Sequence, residues 1–169
     1  PACPHRIGMG LSSRSQGLLS LTQDLSLSSL GWSNFFLSQL DEAELSLTFV
    51  RVAAVHRDRI DGLGPQGPMT LLLAGDLPAG TLAIGDWVLS DGQRVLRRLD
   101  PKTLLSRRAA GTGHAAQLIA ANVDTLFIVT SCNADFNPAR LERYLALSAG
   151  AGTAAVVLLT KADTSLDAE

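Results

Sequence analysis

The stretch that decides the fold runs from residue 125 to residue 163. It opens with Thr125-Leu-Phe-Ile-Val-Thr130 and closes with Ala154-Ala-Val-Val-Leu-Leu-Thr-Lys-Ala-Asp163. Each end is an unalternated apolar run, which is typical of a strand buried on both faces of a parallel sheet. Between them, Asn137 is a predicted N-cap with Pro138 at the first helical position. One face of that helix carries Leu141, Tyr144, Leu145 and Ser148 at i, i+3, i+4 and i+7. The pattern predicts a parallel, right-handed βαβ unit, which needs about 30 residues.

Upstream of this unit, residues 45–99 read as short strands separated by glycine-rich turns. The strands are predicted at 45–55, 69–74, 85–90 and 93–99. Residues 61–68 are predicted as a turn-rich connection, and Asp91-Gly92 as the two-residue turn of a type I′ hairpin. Short strands without a long helical period predict a small antiparallel barrel.

The first 44 residues are rich in serine and keep no steady period, so we predict a low-complexity leader there. Within it, residues 30–40 are the only part apolar enough to dock on another surface. The whole chain is 46% hydrophobic with a net charge of −2, which excludes the disordered class. Polar residues interrupt each apolar cluster before it reaches the roughly 18 residues of a membrane span. Two distant cysteines, Cys3 and Cys132, favour a reducing, cytoplasmic location.

Charge is distributed unevenly along the chain. Residues 51–108 carry nine Lys and Arg against six Asp and Glu, a net charge of +3, whereas both flanking segments are acidic. Six of the fourteen basic residues lie in one stretch: Arg94, Arg97, Arg98, Lys102, Arg107 and Arg108. Such a stretch is either a solvated face or a phosphate-binding surface, and its place in a predicted barrel favours phosphate-dominated RNA contact with strong salt dependence. Trp87, the aromatic candidate nearby, is predicted to be a core residue rather than a stacking platform.

Polar residues follow the second apolar run, at the edge where parallel sheets bind ligands. Thr160-Lys161-Ala162-Asp163 matches the guanine-specificity pattern (N/T)KxD of GTP-binding proteins. The two carboxylate oxygens of Asp163 can accept from N1–H and the exocyclic amine of guanine, a donor pair that adenine lacks. The Lys161 stem can lie along the base plane, and Thr160 can donate its hydroxyl to the purine. An ordinary exposed turn is the commoner explanation of these four residues taken alone.

Longer stretches around this motif resemble one family. They are residues 117–131, 133–137, 140–145 and 157–163 in the second half, and 55–59, 85–88 and 107–111 upstream. Together they are similar to the RsgA (YjeQ) family of GTPases that depend on the small ribosomal subunit. The resemblance implies an OB-fold barrel, then a circularly permuted GTPase domain whose guanine motif precedes its phosphate-binding loop, then a zinc-binding C-terminal domain. It also implies GTP with Mg²⁺ as substrate and a role in late maturation of the small ribosomal subunit.

The phosphate-binding pattern G-x-x-x-x-G-K-[ST] is absent from the sequence, since Lys102 follows Pro101 and Lys161 follows Thr160. We therefore expect a truncated protein with no catalytic residue, no metal ligand and no GTPase activity of its own. The predicted fold class is mixed: an all-β OB-fold barrel followed by the first βαβ unit of a P-loop-type, circularly permuted GTPase domain. The predicted division is a leader at 1–44, an OB-fold RNA-binding domain at 45–110 and the truncated start of the GTPase domain at 111–169.

The leading prediction is the N-terminal portion of a ribosome-associated GTPase that binds rRNA through the barrel and guanine through Thr160, Lys161 and Asp163. The expected partners are the small ribosomal subunit, its rRNA and GTP or GDP, with no membrane association and a monomeric state. One alternative is a stand-alone OB-fold RNA-binding module without nucleotide hydrolysis, in which residues 160–163 form a plain turn. Another is an inactive fragment with an exposed sheet edge.

Overall fold

The computed structural model describes residues 26–108, 116–132 and 136–164, and the structural statements below concern these residues. The strands are β1 Thr48–Val55, β2 Arg59–Gly64, β3 Gly67–Leu73, β4 Trp87–Ser90, β5 Arg94–Arg98, β6 Leu104–Arg108, β7 Ala116–Ala121, β8 Thr125–Ser131 and β9 Ala154–Thr160. The α-helices are α1 Asn34–Leu37 and α2 Pro138–Ala151, and the 3₁₀ segments are Glu42–Ser46, Ala79–Thr81 and Ala162–Thr164.

Strands β1 to β5 form a closed barrel in the order β1-β2-β3-β5-β4. The pairs are antiparallel except for β3 with β5, which run parallel at Leu72↔Arg94 and Leu73↔Val95. A ring with an odd number of strands cannot alternate direction all the way round, so one parallel pair is required. Apolar side chains fill the interior: Val50, Val52, Ile60, Leu71, Leu82, Val88 and Val95. The predicted OB-type barrel is confirmed.

The largest differences from the predicted barrel strands are the start of β1 and the presence of β2, which was not predicted as a strand. Strand β1 begins at Thr48 because the preceding Glu42–Ser46 forms a 3₁₀ turn, closed by a capping box between Asp41 and Glu44. Residues 61–64, predicted as a turn, belong to strand β2. Glycine is required within this strand because a Cβ at Gly62 would collide with the Val50 side chain.

The hairpin between β4 and β5 has a different turn from the one predicted. Residues 91–93 form the loop, and Gly92 has a positive φ of 94° whereas Asp91 does not, which is incompatible with type I′. The Asp91 carboxylate explains the difference, because its Oδ1 accepts from the backbone N–H groups of Gln93 and Arg94 at 2.8 and 2.7 Å. The side chain therefore replaces part of the backbone turn.

A second apolar cluster lies where the segment before β1 packs against the barrel. Phe36 is 1% exposed and Trp87 is fully buried, as predicted for Trp87. The Trp32 ring stacks on Phe49 at 4.7 Å and meets Trp87 edge-on at 4.8 Å. The expectation that residues 30–40 can dock on a surface is confirmed, since Leu30 joins the same cluster. Residues 1–25 of the predicted leader lie outside the described residues.

Strands β6 and β7 form an antiparallel hairpin that the sequence analysis did not predict. The hairpin spans the predicted domain division between residues 110 and 111. Asn122 ties it to the barrel: its Nδ2 donates to the Gly85 carbonyl at 2.9 Å and its Oδ1 accepts from the Lys102 N–H at 2.8 Å. Asn122 adopts a φ of 56°, a left-handed conformation that asparagine tolerates better than most residues.

The predicted βαβ unit is confirmed in its elements. Strands β8 and β9 pair in parallel from Thr125↔Ala154 to Ser131↔Thr160. The Asn137 side chain accepts from the Arg140 N–H at 3.0 Å at the start of α2, and Gly152 ends the helix with a φ of 70°.

Burial of the βαβ unit differs from the prediction. All seven residues of β9 are exposed, and Val129 of β8 is 62% exposed. On α2, Tyr144 and Leu145 of the predicted face are exposed and Ser148 is buried. The described sheet has two strands and one covering helix, which leaves most of its apolar surface uncovered.

An ion pair joins Asp86, the residue before β4, to Arg98 at the end of β5. The Asp86 carboxylate is fully buried, and its Oδ2 accepts from the Ala83 N–H at 2.7 Å and lies 2.9 Å from Arg98 Nε. Burial raises the pKa of Asp86, while the Ala83 N–H and the Arg98 guanidinium act in the opposite direction. Arg98 therefore compensates a buried charge rather than presenting its own to solvent.

Removal of the Phe36 ring is expected to destabilise the chain far more than removal of the neighbouring Phe35 ring. Phe36→Ala empties a buried site and should cost about 3–5 kcal/mol, whereas Phe35, 42% exposed, should cost about 1 kcal/mol or less. Urea unfolding of the two variants measures the difference. A loss for Phe36→Ala as small as that for Phe35→Ala would show that the segment before β1 is not part of the folded unit.

Removal of the Asp86 carboxylate should expose its structural role. Asp86→Ala leaves Arg98, whose side chain is 21% exposed, without its counter-charge and should lower the free energy of unfolding by about 2–3 kcal/mol. The matched control is Asp76→Ala, at an exposed position, with an expected effect of about 0.5 kcal/mol or less. Thermal unfolding of both variants provides the measurement, and similar stabilities would contradict the assignment.

Candidate functional site

The predicted guanine motif lies at the carboxyl edge of the parallel sheet. Thr160 is the last residue of β9 and pairs with Ser131 at the end of β8. Two hydrogen bonds hold these strand ends together: the Cys132 N–H donates to the Thr160 carbonyl at 2.9 Å, and Thr160 Oγ1 donates to the Thr130 carbonyl at 3.1 Å. The edge is therefore a defined platform for the residues that follow.

The chain turns sharply out of the sheet directly after Thr160. Lys161 has a φ of 58°, a left-handed conformation that costs a non-glycine residue about 1–2 kcal/mol. A 3₁₀ turn, Ala162–Thr164, follows and contains Asp163. Lys161 and Asp163 are both exposed, so the carboxylate is accessible to a ligand at this edge.

Thr160 has a role that differs in detail from the predicted one. Its hydroxyl proton is donated to the Thr130 carbonyl, so in this structure it is not available to a purine. The side chain instead joins the two strand ends. Asp163, the residue predicted to accept from guanine, lies three positions further along in the exposed turn.

The six predicted RNA-binding residues fall into different settings, and two of them hold the fold together. Arg97 donates from Nε and Nη2 to the Glu44 carboxylate at 2.8 and 2.7 Å. That bidentate contact, together with the Asp41 N–H, lowers the pKa of Glu44. Arg98 lies against the buried Asp86. Both guanidinium groups are engaged by acids of this chain.

The other members of the basic stretch lie at the surface. Arg94 is exposed at the first position of β5, and the Lys102 amine lies 5.8 and 5.6 Å from the ring centroids of Phe35 and Phe36. Arg107, on β6, donates from Nε to Gln117 Oε1 at 3.0 Å. Arg108 ends β6, and its side chain lies outside the described part of the structure.

The sequence did not predict a polar network formed by His56, Asp61 and Thr70. His56 Nε2 lies 2.8 Å from Asp61 Oδ2, and Thr70 Oγ1 donates to Asp61 Oδ1 at 2.7 Å. The Thr70 hydrogen bond, followed by the one from His56, lowers the pKa of Asp61. The network connects β2 and β3 with His56, the residue that follows β1, and these strands pair only in the folded barrel, so no local sequence signal identifies it.

The described residues contain neither a candidate metal site nor a candidate membrane-spanning helix. Within residues 26–108, 116–132 and 136–164, no group of three or more His, Cys, Asp or Glu could hold a metal ion. Across the same ranges, none of the helices is long and apolar enough to cross a membrane.

Comparison with known proteins places the chain in a family. Residues 98–169 match the sequence profile described as RsgA GTPase. The chain is 58% identical over 146 residues to the small ribosomal subunit biogenesis GTPase RsgA of Mesorhizobium japonicum, covering 85% of this chain and 42% of that protein. It is 44% identical over 153 residues to the small ribosomal subunit biogenesis GTPase RsgA 2 of Vibrio vulnificus, covering 89% of this chain and 43% of the relative.

Solved structures support the fold. YjeQ from Thermotoga maritima superposes with a TM-score of 0.54 at 17% identity, covering 72% of this chain and 44% of that one. YloQ, described as a circularly permuted GTPase, superposes with a TM-score of 0.54 at 17% identity, covering 76% and 45%. The chain spans less than half the length of the curated relatives it matches. With the profile match, the relatives and the barrel followed by a βαβ unit, the chain belongs to the RsgA/YjeQ family.

Proposed function

We propose that this chain is the N-terminal portion of a GTPase that acts in late maturation of the small ribosomal subunit. The barrel contacts rRNA, and Thr160, Lys161 and Asp163 form the guanine-binding edge. The observation that carries the proposal is the exposed motif directly beyond β9, at the carboxyl end of a parallel pair. The names of the curated relatives, which are small ribosomal subunit biogenesis GTPases, support the biological context.

Guanine recognition is assigned to Asp163. A carboxylate that is exposed and has two acceptor oxygens can take N1–H and the exocyclic amine together. Lys161 carries its aliphatic stem at the turn that leads to Asp163, and Thr160 holds the strand ends in register. Asp163 and Lys161 therefore contact the base, Thr160 positions the turn that carries them, and none of the three acts on a phosphate.

Hydrolysis is not assigned to any residue of this chain. The sequence holds no G-x-x-x-x-G-K-[ST] loop to surround the phosphates, so we expect these residues alone to be inactive as a GTPase. The family resemblance implies Mg²⁺, which would offset the negative charge of the phosphates when GTP is bound, and zinc in a C-terminal domain. The described residues contain no group of three or more His, Cys, Asp or Glu that could hold a metal ion.

RNA contact is assigned to the surface members of the basic stretch, Arg94, Lys102 and Arg107, and extended to Arg108 from its place in the sequence. Arg97 and Arg98 contribute positive potential, but their guanidinium groups are held by Glu44 and Asp86. Phosphate contact through the surface residues makes binding salt-dependent and largely independent of sequence. The complete protein is proposed to be a cytoplasmic monomer that binds GTP, GDP and the small subunit.

The domain division remains part of the proposal, with the folding unit extended at both boundaries. Residues 26–44 pack on the barrel, and β6 and β7 pair across residues 110 and 111. We therefore place the RNA-binding unit at 26–123 and the start of the GTPase domain at 124.

The alternative of a stand-alone RNA-binding module makes the same barrel contacts but binds no guanine nucleotide.

Asp163→Asn in the complete protein should change base preference. The asparagine amide donates to the C2 carbonyl of xanthine and no longer accepts from the guanine amine. The affinity for GTP should therefore fall about tenfold or more, and the affinity for XTP should rise. Competition between labelled GTP and XTP measures the preference. Asp124→Asn, before the opposite end of β8, is the control and should leave the preference unchanged. A guanine preference retained by Asp163→Asn would remove this residue from the site, whereas a parent protein that binds no GTP would favour the RNA-module alternative.

Neutralisation of surface basic residues should weaken binding to the small subunit in a salt-dependent manner. Arg94→Gln and Lys102→Gln should each lower the slope of log affinity against log salt by about 0.7–0.9, the value for one lost phosphate contact. Co-sedimentation with purified small subunits over a salt series measures it. Gln66→Glu, an exposed residue in the β2–β3 turn with the same change in net charge, is the matched control. Identical slopes in all variants would show that the stretch is only a solvated face.

A further inference from the structure

A cleft of about 480 Å³ lies between the β6–β7 hairpin and helix α2. Helix α2 contributes one stripe at i, i+3, i+4 and i+7, and the hairpin contributes the opposite wall. The described lining residues are Ser106, Arg107, Ile119, Arg140, Arg143, Tyr144 and Leu147. None of these is acidic. Tyr144, which the sequence analysis grouped with Leu141, Leu145 and Ser148 on one helix face, lines this cleft.

The side chains of the cleft combine positive charge with an exposed aromatic ring. Tyr144 is 47% exposed, and Arg143 is exposed, with a guanidinium that makes no hydrogen bond or ion pair to the other described residues. Arg107 uses its Nε to contact Gln117, which positions the guanidinium and leaves its terminal nitrogens for another acceptor. Tyr144 and Ile119 are the exposed apolar surface between these cations.

This combination fits a nucleotide of a single-stranded nucleic acid. An aromatic face accepts a base by stacking without sequence preference, while arginines contact the flanking phosphates. The volume is within the range of small-ligand pockets, about 300–1,000 Å³, and is sufficient for one base with its sugar. An acidic peptide would satisfy the arginines but would make no use of the ring.

We propose that Arg107, Arg143 and Tyr144 form a second nucleic-acid contact, in which a splayed-out RNA base stacks on Tyr144 and its phosphates meet the two arginines. The inference rests on the proposed RNA contact of the protein, and it adds a surface of the βαβ unit to a footprint otherwise confined to the barrel and hairpin. The RNA then bridges the hairpin and α2, two elements that are separate in sequence.

The test uses the complete protein and a fluorescein-labelled 12-nucleotide oligouridine RNA, with binding followed by anisotropy over a salt series. Tyr144→Ala should weaken binding by at least about fivefold and leave the salt slope unchanged, because a stack is lost and no charge. Arg143→Gln should lower the slope by about 0.7, the value for one phosphate of a single strand. Tyr144→Phe keeps the ring and should bind as the parent protein does.

Controls separate this inference from folding and from the proposed function. Ala149→Glu changes net charge as Arg143→Gln does, at an exposed position outside the cleft, and should leave binding unchanged. Thermal unfolding of each variant identifies any fold defect. If Tyr144→Ala is destabilised, the cleft is tested by the binding of Tyr144→Phe and Arg143→Gln. Inorganic phosphate and UMP serve as competitors: displacement by UMP but not by phosphate supports base stacking, and displacement of the RNA by phosphate alone at equal concentration contradicts it.

The outcomes are distinct for the two proposals. If Tyr144→Ala and Arg143→Gln bind the RNA as the parent does while Arg94→Gln loses subunit affinity, the cleft is not a nucleic-acid site and the proposed function stands. If Arg94→Gln and Lys102→Gln also have no effect, both proposals fail. No binding of the oligouridine by the parent protein overturns the cleft assignment.

Discussion

Four consecutive residues, 85–88, hold the packed parts of the chain together. A Cβ at Gly85 would collide with the Ala121 carbonyl, so glycine allows the barrel to contact the β6–β7 hairpin directly. Asp86 reaches Arg98, Trp87 supports the segment before β1, and Val88 enters the barrel interior. Since alternate residues of a strand point to opposite sides, a register shift of one position would break these contacts at once.

The same packing decides which basic residues remain available to a partner. Arg97 and Arg98 are adjacent on β5, yet one is clamped by Glu44 of the 3₁₀ turn and the other by a buried carboxylate. Their charges offset acids of the chain, although the Arg97 side chain is itself 43% exposed, whereas Arg94, Lys102 and Arg107 are exposed and form none of the ion pairs found among the described residues. A basic stretch in a sequence therefore overstates the surface that can bind phosphate, because it does not reveal the internal partners of each cation.

Prediction succeeded where the signal was local. Asn137 and Pro138 identify the start of α2, and two apolar runs identify β8 and β9, since caps and periodicity act within a few residues. Prediction failed where contacts between residues distant in the sequence determine the secondary structure. Gly62 is typical of a turn but lies inside β2, because the Val50 side chain leaves no room for a Cβ. The β6–β7 hairpin has no strong period of its own and is attached to the barrel by contacts distant in sequence, from Asn122 to the Gly85 carbonyl and from the Ala121 N–H to the Ile84 carbonyl.

The sequence by itself determined the order of barrel and βαβ unit, the family resemblance and the position of the guanine motif after an apolar run. These features depend on short-range pattern, which the residues carry wherever they are placed. Only the tertiary structure decided which strands close the barrel, that Thr160 gives its hydroxyl proton to the neighbouring strand, and that Tyr144 faces the hairpin. Those outcomes depend on contacts between elements that are distant in the sequence. A buried polar or charged group needs a partner, and folding alone decides which residue that partner is.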